Sequence, residues 1–132
     1  MKYSDSQKYL KIWIDILTPK QLLFSEPIIE KLSKKHDLLC TSRDYDEVSK
    51  LAKIRHFDLV FVGKHGGGNK KNKLKASIER IDKLSKKIQK FEPEVVISFG
   101  SPEAARISFG LGIKHIMFCD SPHANAVMRL TL

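Results

Sequence analysis

Cysteine is scarce in this sequence, and the two cysteines present exclude two common kinds of small protein. Cys40 and Cys119 have no C-x-x-C spacing, so they supply neither a disulfide framework nor a structural zinc site. Each lies in an apolar segment that we expect to be a strand, which predicts two buried free thiols. Spacings such as H-x-H and H-E-x-x-H are absent as well, so we predict no bound metal.

Long apolar runs are also absent. No stretch of about eighteen apolar residues occurs, so the sequence predicts no membrane span. The first residues, MKYSDSQKYLK, lack the apolar stretch of a signal peptide. We therefore expect a cytoplasmic protein, and its 132 residues are enough for one domain with a real core.

Acidic residues are in the minority, and the excess positive charge is concentrated in one segment. The formal net charge is +9, of which residues 69–90 carry +7. The apolar residues here recur every three or four positions, which predicts an amphipathic helix with its lysines facing solvent. They are Leu74, Ile78, Ile81, Leu84, Ile88 and Phe91. No aromatic residue interrupts the basic face, so nucleic acid is not expected as a partner, and weak binding through this helix stays open as an alternative.

Apolar runs and helical patterns alternate along the chain, which predicts an α/β domain. The five predicted strands cover residues 9–17, 37–42, 58–63, 94–100 and 114–120. Strands this apolar, joined by helices, form a parallel sheet that is covered on both faces. Right-handed crossovers then predict a Rossmann-like, doubly wound sheet with strand order 3-2-1-4-5. We assign this domain to residues 11–132 and treat residues 1–10 as an N-terminal extension.

Polar residues gather where the predicted strands end. The carboxyl ends of parallel strands share one edge of the sheet, and ligands of such folds bind at that edge. The first strand leads to Thr18 and the second to Arg43, and both are candidate substrate-binding residues. The opposite edge has ordinary turns such as FEPE, which contain no comparable group of polar side chains.

The loop GKHGGGN, which follows the third strand, is the most conspicuous candidate for binding an anion. It contains Lys64, His65, Gly66, Gly67 and Gly68. Three glycines allow successive N–H groups to form an anion nest, and the following helix N-terminus also favours negative charge. The loop is neither a Walker loop nor the G-x-G-x-x-G fingerprint, and the G-x-S-x-G elbow of esterases is absent. A flexible connection without a ligand is the alternative.

Two Ser-Pro dipeptides start helices and are flanked by ionisable residues. Ser101 and Ser121 each precede a proline, which predicts an N-cap followed by the first helical residue. Three ionisable residues flank these dipeptides at the ends of the fourth and fifth strands. Glu103 and His123 each follow a dipeptide, and Asp120 precedes the second one. Together with His65 they are the candidate catalytic acids and bases, and the two serines are candidate binding residues.

Several stretches of the sequence resemble one protein family. The resemblance rests on KIWIDILTPKQLLFSEPIIEKL, TSRDYDEV, VGKHGGG, ISFGSPEAARISFGLG and CDSPHANAVMRLTL, and it covers nearly all of the chain from Lys11 onward. The family is uncharacterised, largely archaeal and GT-B-like, and it is related to glycosyltransferases and to the non-hydrolysing UDP-N-acetylglucosamine 2-epimerases. The resemblance implies a single domain of the N-terminal GT-B type, with the second domain absent.

Similarity to the epimerases implies roles for two turns. The fourth strand of those enzymes ends in a His-Gly-Asp-type turn, and the fifth ends in a turn that carries a glutamate. The matching positions here are residues 99–101 and Asp120. The first carboxylate is therefore missing, with Glu103 two residues further on as a substitute, whereas Asp120 keeps the second.

The resemblance thus implies the acceptor-side or sugar-side domain of a nucleotide-sugar-processing protein, of the glycosyltransferase or epimerase type. A nucleotide-sugar would be its substrate, and no cofactor is implied. In GT-B proteins the C-terminal domain holds most of the nucleotide, so we expect this chain to be incomplete for catalysis alone. A separate C-terminal domain or a second copy of the chain would be its partner. A non-catalytic binding or oligomerisation module is the alternative.

Overall fold

The computed structural model describes residues 9–118, which form a five-stranded sheet with helices on both faces. The strands are β1 (Lys11–Asp15), β2 (Asp37–Asp44), β3 (Val60–Lys64), β4 (Val95–Ser98) and β5 (Lys114–Met117). The helices are α1 (Pro19–Ser33), α2 (Asp46–Ile54), α3 (Lys70–Phe91) and α4 (Pro102–Leu111). The strands lie in the order β3-β2-β1-β4-β5, and every neighbouring pair is parallel. The Rossmann-like sheet predicted from the sequence is therefore confirmed.

The central strand, β1, separates two hydrophobic layers. Side chains alternate across a strand, so Ile12 and Ile14 pack toward α1 and α2, whereas Trp13 packs toward α3 and α4. Asp15 follows Trp13 by two positions and is fully buried. The same alternation therefore brings the Asp15 carboxylate to the α3 side of the sheet, at the carboxyl end of β1.

Polar N-caps fix where α1 and α4 begin. The Thr18 hydroxyl accepts a hydrogen bond from the Gln21 N–H at 3.2 Å, and the Ser101 hydroxyl accepts one from the Ala104 N–H at 3.1 Å. A proline follows each cap at the start of the helix, as the sequence predicts for Ser101. The Gln21 side chain also accepts a hydrogen bond from the Leu17 N–H at 2.9 Å, which ties the end of the β1–α1 loop to the first turn.

The strand ends differ from the predicted ones for an identifiable reason. β1 ends at Asp15, two residues before the predicted end at residue 17. Ile16 and Leu17 are apolar and buried, but they belong to the loop that leads into α1. Apolar character therefore continues beyond the strand and makes it look longer than it is. β2 is longer than predicted and reaches Asp44, where its pairing with β3 shifts register between Ser42 and Asp44.

The buried face of α3 is rotated from the one that the sequence predicts. Leu74 and Ile78, which were expected to be inside, are 63% and 58% exposed. The buried positions are Arg80, Leu84 and Ile88, so an arginine continues the four-residue spacing of the apolar residues. The lysines of this helix do face solvent, as predicted. Within residues 9–118, no helix is long and apolar enough to cross a membrane.

Cys40 is a buried free thiol on β2, as predicted. Burial, with a smaller contribution from the Asp58 carboxylate, raises the pKa of this thiol to about 12. The thiol is therefore protonated at neutral pH and is a structural residue, because the thiolate is the reactive form. Cys119 lies outside the described residues.

Gly63 lies near the end of β3, where the stem of another side chain crosses close to the backbone. Its φ is +80°, and a Cβ built on it would lie 2.6 Å from the Cγ of Arg80 and 2.8 Å from the Cβ of Arg80. Glycine is therefore needed both for the left-handed backbone and for the space. Gly67 has a similar φ of +73°, but no atom lies within 4 Å of the Cβ position, so it offers a matched comparison.

We expect Gly63→Ala to destabilise the domain by about 3 kcal/mol, because strained backbone and overpacking act together. Gly67→Ala should cost about 1 kcal/mol, since only the backbone is strained. Urea denaturation of the two variants beside the parent protein measures the difference in the free energy of unfolding. Equal losses in the two variants would show that the close approach of Arg80 to Gly63 does not constrain the fold.

Candidate functional site

A buried arginine organises the carboxyl end of the sheet. The two Nη atoms of Arg80 donate to the Asp15 carboxylate at 2.9 and 2.7 Å, and Nη1 also donates to Oε1 of Glu103 at 2.9 Å. The Nε–H donates to the Val62 carbonyl at 2.8 Å. Burial acts to lower the pKa of Arg80, but the Asp15 and Glu103 carboxylates outweigh it and raise that pKa. Arg80 is therefore a permanent cation that links β1, β3 and α4 to α3.

The two carboxylates of this network are satisfied by hydroxyl groups as well. Asp15 accepts hydrogen bonds from the Ser101 hydroxyl at 2.6 Å and from the Thr41 hydroxyl at 2.7 Å. Glu103 accepts one from the Ser77 hydroxyl at 2.7 Å. Buried ionic groups are tolerated when each charge is paired and its polar atoms are hydrogen-bonded, and every carboxylate oxygen of Asp15 and Glu103 accepts at least one bond.

A second arginine, Arg43, lies at the end of β2 and, unlike Arg80, has no ion pair with a described carboxylate. It occupies the point where the β2–β3 pairing shifts register, and such bulges re-aim side chains. Its side chain is half-buried, and the buried Nε has no hydrogen-bond partner among the described residues. Burial lowers the pKa of Arg43, and the positive charge of Arg80 adds to that effect, while Glu103 and Asp15 oppose it. Arg43 thus has a buried nitrogen without a hydrogen bond, whereas every guanidinium nitrogen of Arg80 has at least one.

His65 follows β3 and is held in one orientation and one tautomer. Its ring stacks on Tyr45, with the centroids 4.7 Å apart and the planes 15° from parallel. Its Nδ1 accepts a hydrogen bond from the Gly67 N–H at 3.3 Å, which places the proton of the neutral ring on Nε2. Burial, and then the positive charges of Arg43 and Lys73, lower the pKa of His65. At neutral pH the imidazole is a neutral donor through Nε2.

These residues border a cleft of about 310 Å³ between the strand ends and the first turns of α3 and α4. We call it the Arg43 cleft, and its lining includes Arg43, Lys64, His65, Lys73, Ser77, Arg80 and Glu103. Arg80 is paired within the buried network, and the Glu103 carboxylate is engaged by Arg80 and Ser77. In the described part of the chain, no ion pair involves the other three cations of the lining. The cleft therefore carries an uncompensated positive charge.

The structure brings four of the candidate site residues together. Arg43, Lys64, His65 and Glu103 line the Arg43 cleft. Of the catalytic candidates, Asp120 and His123 lie outside the described residues, as does the binding candidate Ser121. The described structure therefore says nothing of their place in a site.

The remaining candidates have local structural tasks. Thr18 and Ser101 are the N-caps of α1 and α4. Gly66 lines an adjoining hollow of about 350 Å³, in which a Cβ on it would lie 3.0 Å from that of Ala76. Gly67 and Gly68 are exposed, and the Gly67 N–H already donates to His65. At least this one N–H of the predicted anion nest is therefore used inside the loop.

The catalytic and binding candidates drawn from the sequence do not include Asp15, Lys73 or Arg80, although all three belong to the site or to the network beside it. Two signals were present. Arg80 is the one arginine in a lysine-rich helix, and it precedes the apolar residues Leu84 and Ile88 by four and eight positions. Asp15 is a carboxylate inside an apolar strand pattern, and such a residue needs a buried partner. Arg80 and Asp15 are 65 positions apart, so the pairing itself appears only in the folded chain.

The fold resembles one domain of glycosyltransferases and UDP-GlcNAc 2-epimerases, which are proteins of the GT-B type. The spinosyn rhamnosyltransferase SpnG superposes with a TM-score of 0.71 at 11% identity, over 92% of this chain and 38% of that chain. The UDP-GlcNAc 2-epimerase from Neisseria meningitidis bound to UDP-GlcNAc gives a TM-score of 0.70 at 15% identity, over 92% and 37%. At such identities the likeness concerns the fold alone.

The chain belongs to the family described as "Protein of unknown function (DUF354)", which it matches over residues 10–132. It is 36% identical over 124 residues to the uncharacterized protein MJ0665 of Methanocaldococcus jannaschii. That alignment covers 93% of this chain and 36% of MJ0665, so the chain spans little more than a third of this relative's length. The resemblance to an archaeal GT-B-like family is confirmed.

Replacing Arg80 by methionine should destabilise the domain by about 3–5 kcal/mol, because the substitution leaves two buried carboxylates without their cation. Lys87→Met, an exposed change of the same kind on the same helix, should stay within about 0.5 kcal/mol of the parent. Urea denaturation gives both values. A loss below about 1 kcal/mol for Arg80→Met would contradict the role assigned to the network.

His65 should titrate with a midpoint below about 6.5, and at neutral pH it should carry its proton on Nε2. Long-range ¹H–¹⁵N NMR of the imidazole measures both properties. Arg43→Gln should raise the midpoint, since it removes a nearby positive charge, whereas Lys50→Gln on α2 should leave it unchanged. A protonated Nδ1 at pH 7 would contradict the hydrogen bond from Gly67.

Proposed function

We propose that this domain is the sugar-side or acceptor-side half of a nucleotide-sugar-processing protein, of the glycosyltransferase or epimerase type. The observation that carries the proposal is the uncompensated positive charge of the Arg43 cleft at the carboxyl edge of the sheet. Ligands of doubly wound sheets bind at this edge, and nucleotide-sugars and their products are anionic. Membership of the GT-B fold class supports the same ligand class.

The residues of the cleft have separate roles in this proposal. Arg43, Lys64 and Lys73 attract and hold the anionic part of the ligand. His65 donates a hydrogen bond from Nε2, because its Nδ1 is occupied by Gly67. Glu103 keeps the charge of Arg80 balanced and does not act as a base, since both of its oxygens are engaged.

Proton transfer is assigned to other candidates. Two catalytic candidates lie among the described residues, and neither offers a free basic atom. Both oxygens of Glu103 are engaged, and the unbonded nitrogen of His65, Nε2, carries the proton. Asp120 and His123 remain proposals from the sequence. We further propose that this domain supplies one half of the site and that a second GT-B domain holds most of the nucleotide. This chain alone should therefore bind part of the ligand without turning it over.

Thermal denaturation with UDP-GlcNAc and UDP at low ionic strength tests this proposal. Both ligands should raise the melting temperature of the chain, because they bind the native state and not the unfolded one. Arg43→Gln should weaken binding at least tenfold, whereas Lys50→Gln, which removes the same charge from the opposite helical layer, should not. Neutral N-acetylglucosamine serves as a ligand control. The proposal fails if neither nucleotide compound shifts the folded protein, or if Lys50→Gln weakens binding as much as Arg43→Gln.

A further inference from the structure

The guanidinium of Arg43 has no hydrogen bond to another described residue, although its side chain is half-buried. Most polar groups that are removed from water have a partner, and an unpaired guanidinium at the wall of a cleft indicates a missing acceptor. The neighbouring Arg80 shows what a paired guanidinium looks like in this fold, with bonds to two carboxylates and one carbonyl. The Nε of Arg43 is covered by protein atoms, but the residue lines the Arg43 cleft, so a ligand there can accept from its Nη atoms.

The charge of the cleft indicates what kind of acceptor this is. Arg43, Lys64 and Lys73 have no ion-pair partner in the described structure, and His65 adds a neutral N–H donor. A carboxylate would neutralise one of three cations and would offer two oxygens. A phosphoryl group carries up to two negative charges and three acceptor oxygens, and it matches the planar fork of an arginine.

The size and lining of the cleft restrict the rest of the ligand. About 310 Å³ is at the lower end of the range for small-molecule sites, roughly 300–1,000 Å³, so the cleft does not hold a complete nucleotide-sugar. The one aromatic ring of its lining, His65, is already stacked on Tyr45, with the ring centroids 4.7 Å apart. The cleft therefore suits a phosphoryl group with part of a sugar and not a nucleobase.

We propose that the Arg43 cleft is a phosphoryl subsite, in which Arg43 binds the phosphoryl oxygens through its Nη atoms together with Lys64, Lys73 and the Nε2–H of His65. This inference rests on the proposed function, since it names the ligand group held at the same cleft. The phosphoryl group comes either from the diphosphate of a nucleotide-sugar or from a phosphorylated sugar acceptor, and both share this chemistry.

Isothermal titration at low ionic strength, with inorganic phosphate, N-acetylglucosamine 1-phosphate, UDP and glucuronate as probes, tests the subsite. The phosphates should bind at least tenfold more tightly than the carboxylate sugar. Arg43→Lys keeps the charge but loses the planar pair of Nη donors, so it should weaken phosphate binding at least tenfold, while Lys50→Gln should leave it unchanged. Phosphate should also raise the His65 pKa, a readout by NMR on the parent protein that requires no variant.

The possible outcomes separate the subsite from the nucleotide-sugar function. If phosphate and N-acetylglucosamine 1-phosphate bind through Arg43 but UDP does not bind, the subsite stands with a phosphorylated acceptor and the nucleotide-sugar proposal fails. Binding of UDP through Arg43 as well would support both. Binding of UDP that Arg43→Lys leaves unchanged, equal binding of glucuronate and phosphate, or the absence of phosphate binding and of a His65 shift would each overturn the subsite.

Discussion

A guanidinium that is removed from water must meet carboxylates, and that constraint at Arg80 determines the carboxyl end of this sheet. The side chain begins on α3, crosses over Gly63 and ends between Asp15 and Glu103. Three strands and two helices contribute to its surroundings, because Thr41 on β2 also bonds to Asp15. The absence of a side chain at Gly63 and the rotated face of α3 both follow from this one buried cation.

The same network decides the electrostatics of the neighbouring cleft. Glu103 would neutralise a cationic cleft if it were available, but Arg80 and Ser77 engage both of its oxygens. The charge of Arg43 is therefore opposed only by carboxylates that are already bonded to another cation. Two arginines in one region thus serve different purposes, since every guanidinium nitrogen of Arg80 is bonded within the fold, whereas Arg43 lines the cleft with no bond to another described residue.

The sequence predicts the sheet well because its signals are local. Alternating apolar runs and helical spacings identify the elements, right-handed crossovers order the strands, and Ser101 before a proline predicts the start of α4. The candidate site is predicted in part, since Arg43 and His65 follow strand ends and strand ends meet at one edge. The second bond of Ser101, to Asp15, and the pairing of Arg80 join residues 86 and 65 positions apart. No local pattern specifies such contacts, so the buried network and the exposure of Leu74 could not be predicted.

Fold class alone does not identify the reaction, because GT-B proteins include both transferases and epimerases. The chemistry must follow from the site, and the tautomer of His65 restricts it. An imidazole whose Nδ1 accepts from the backbone offers Nε2–H to the cleft, and it can act as a base through Nε2 only after switching tautomer. Positive neighbours further favour its neutral form. His65 is thus better suited to orient an anion than to remove a proton, and a base for either reaction must come from elsewhere.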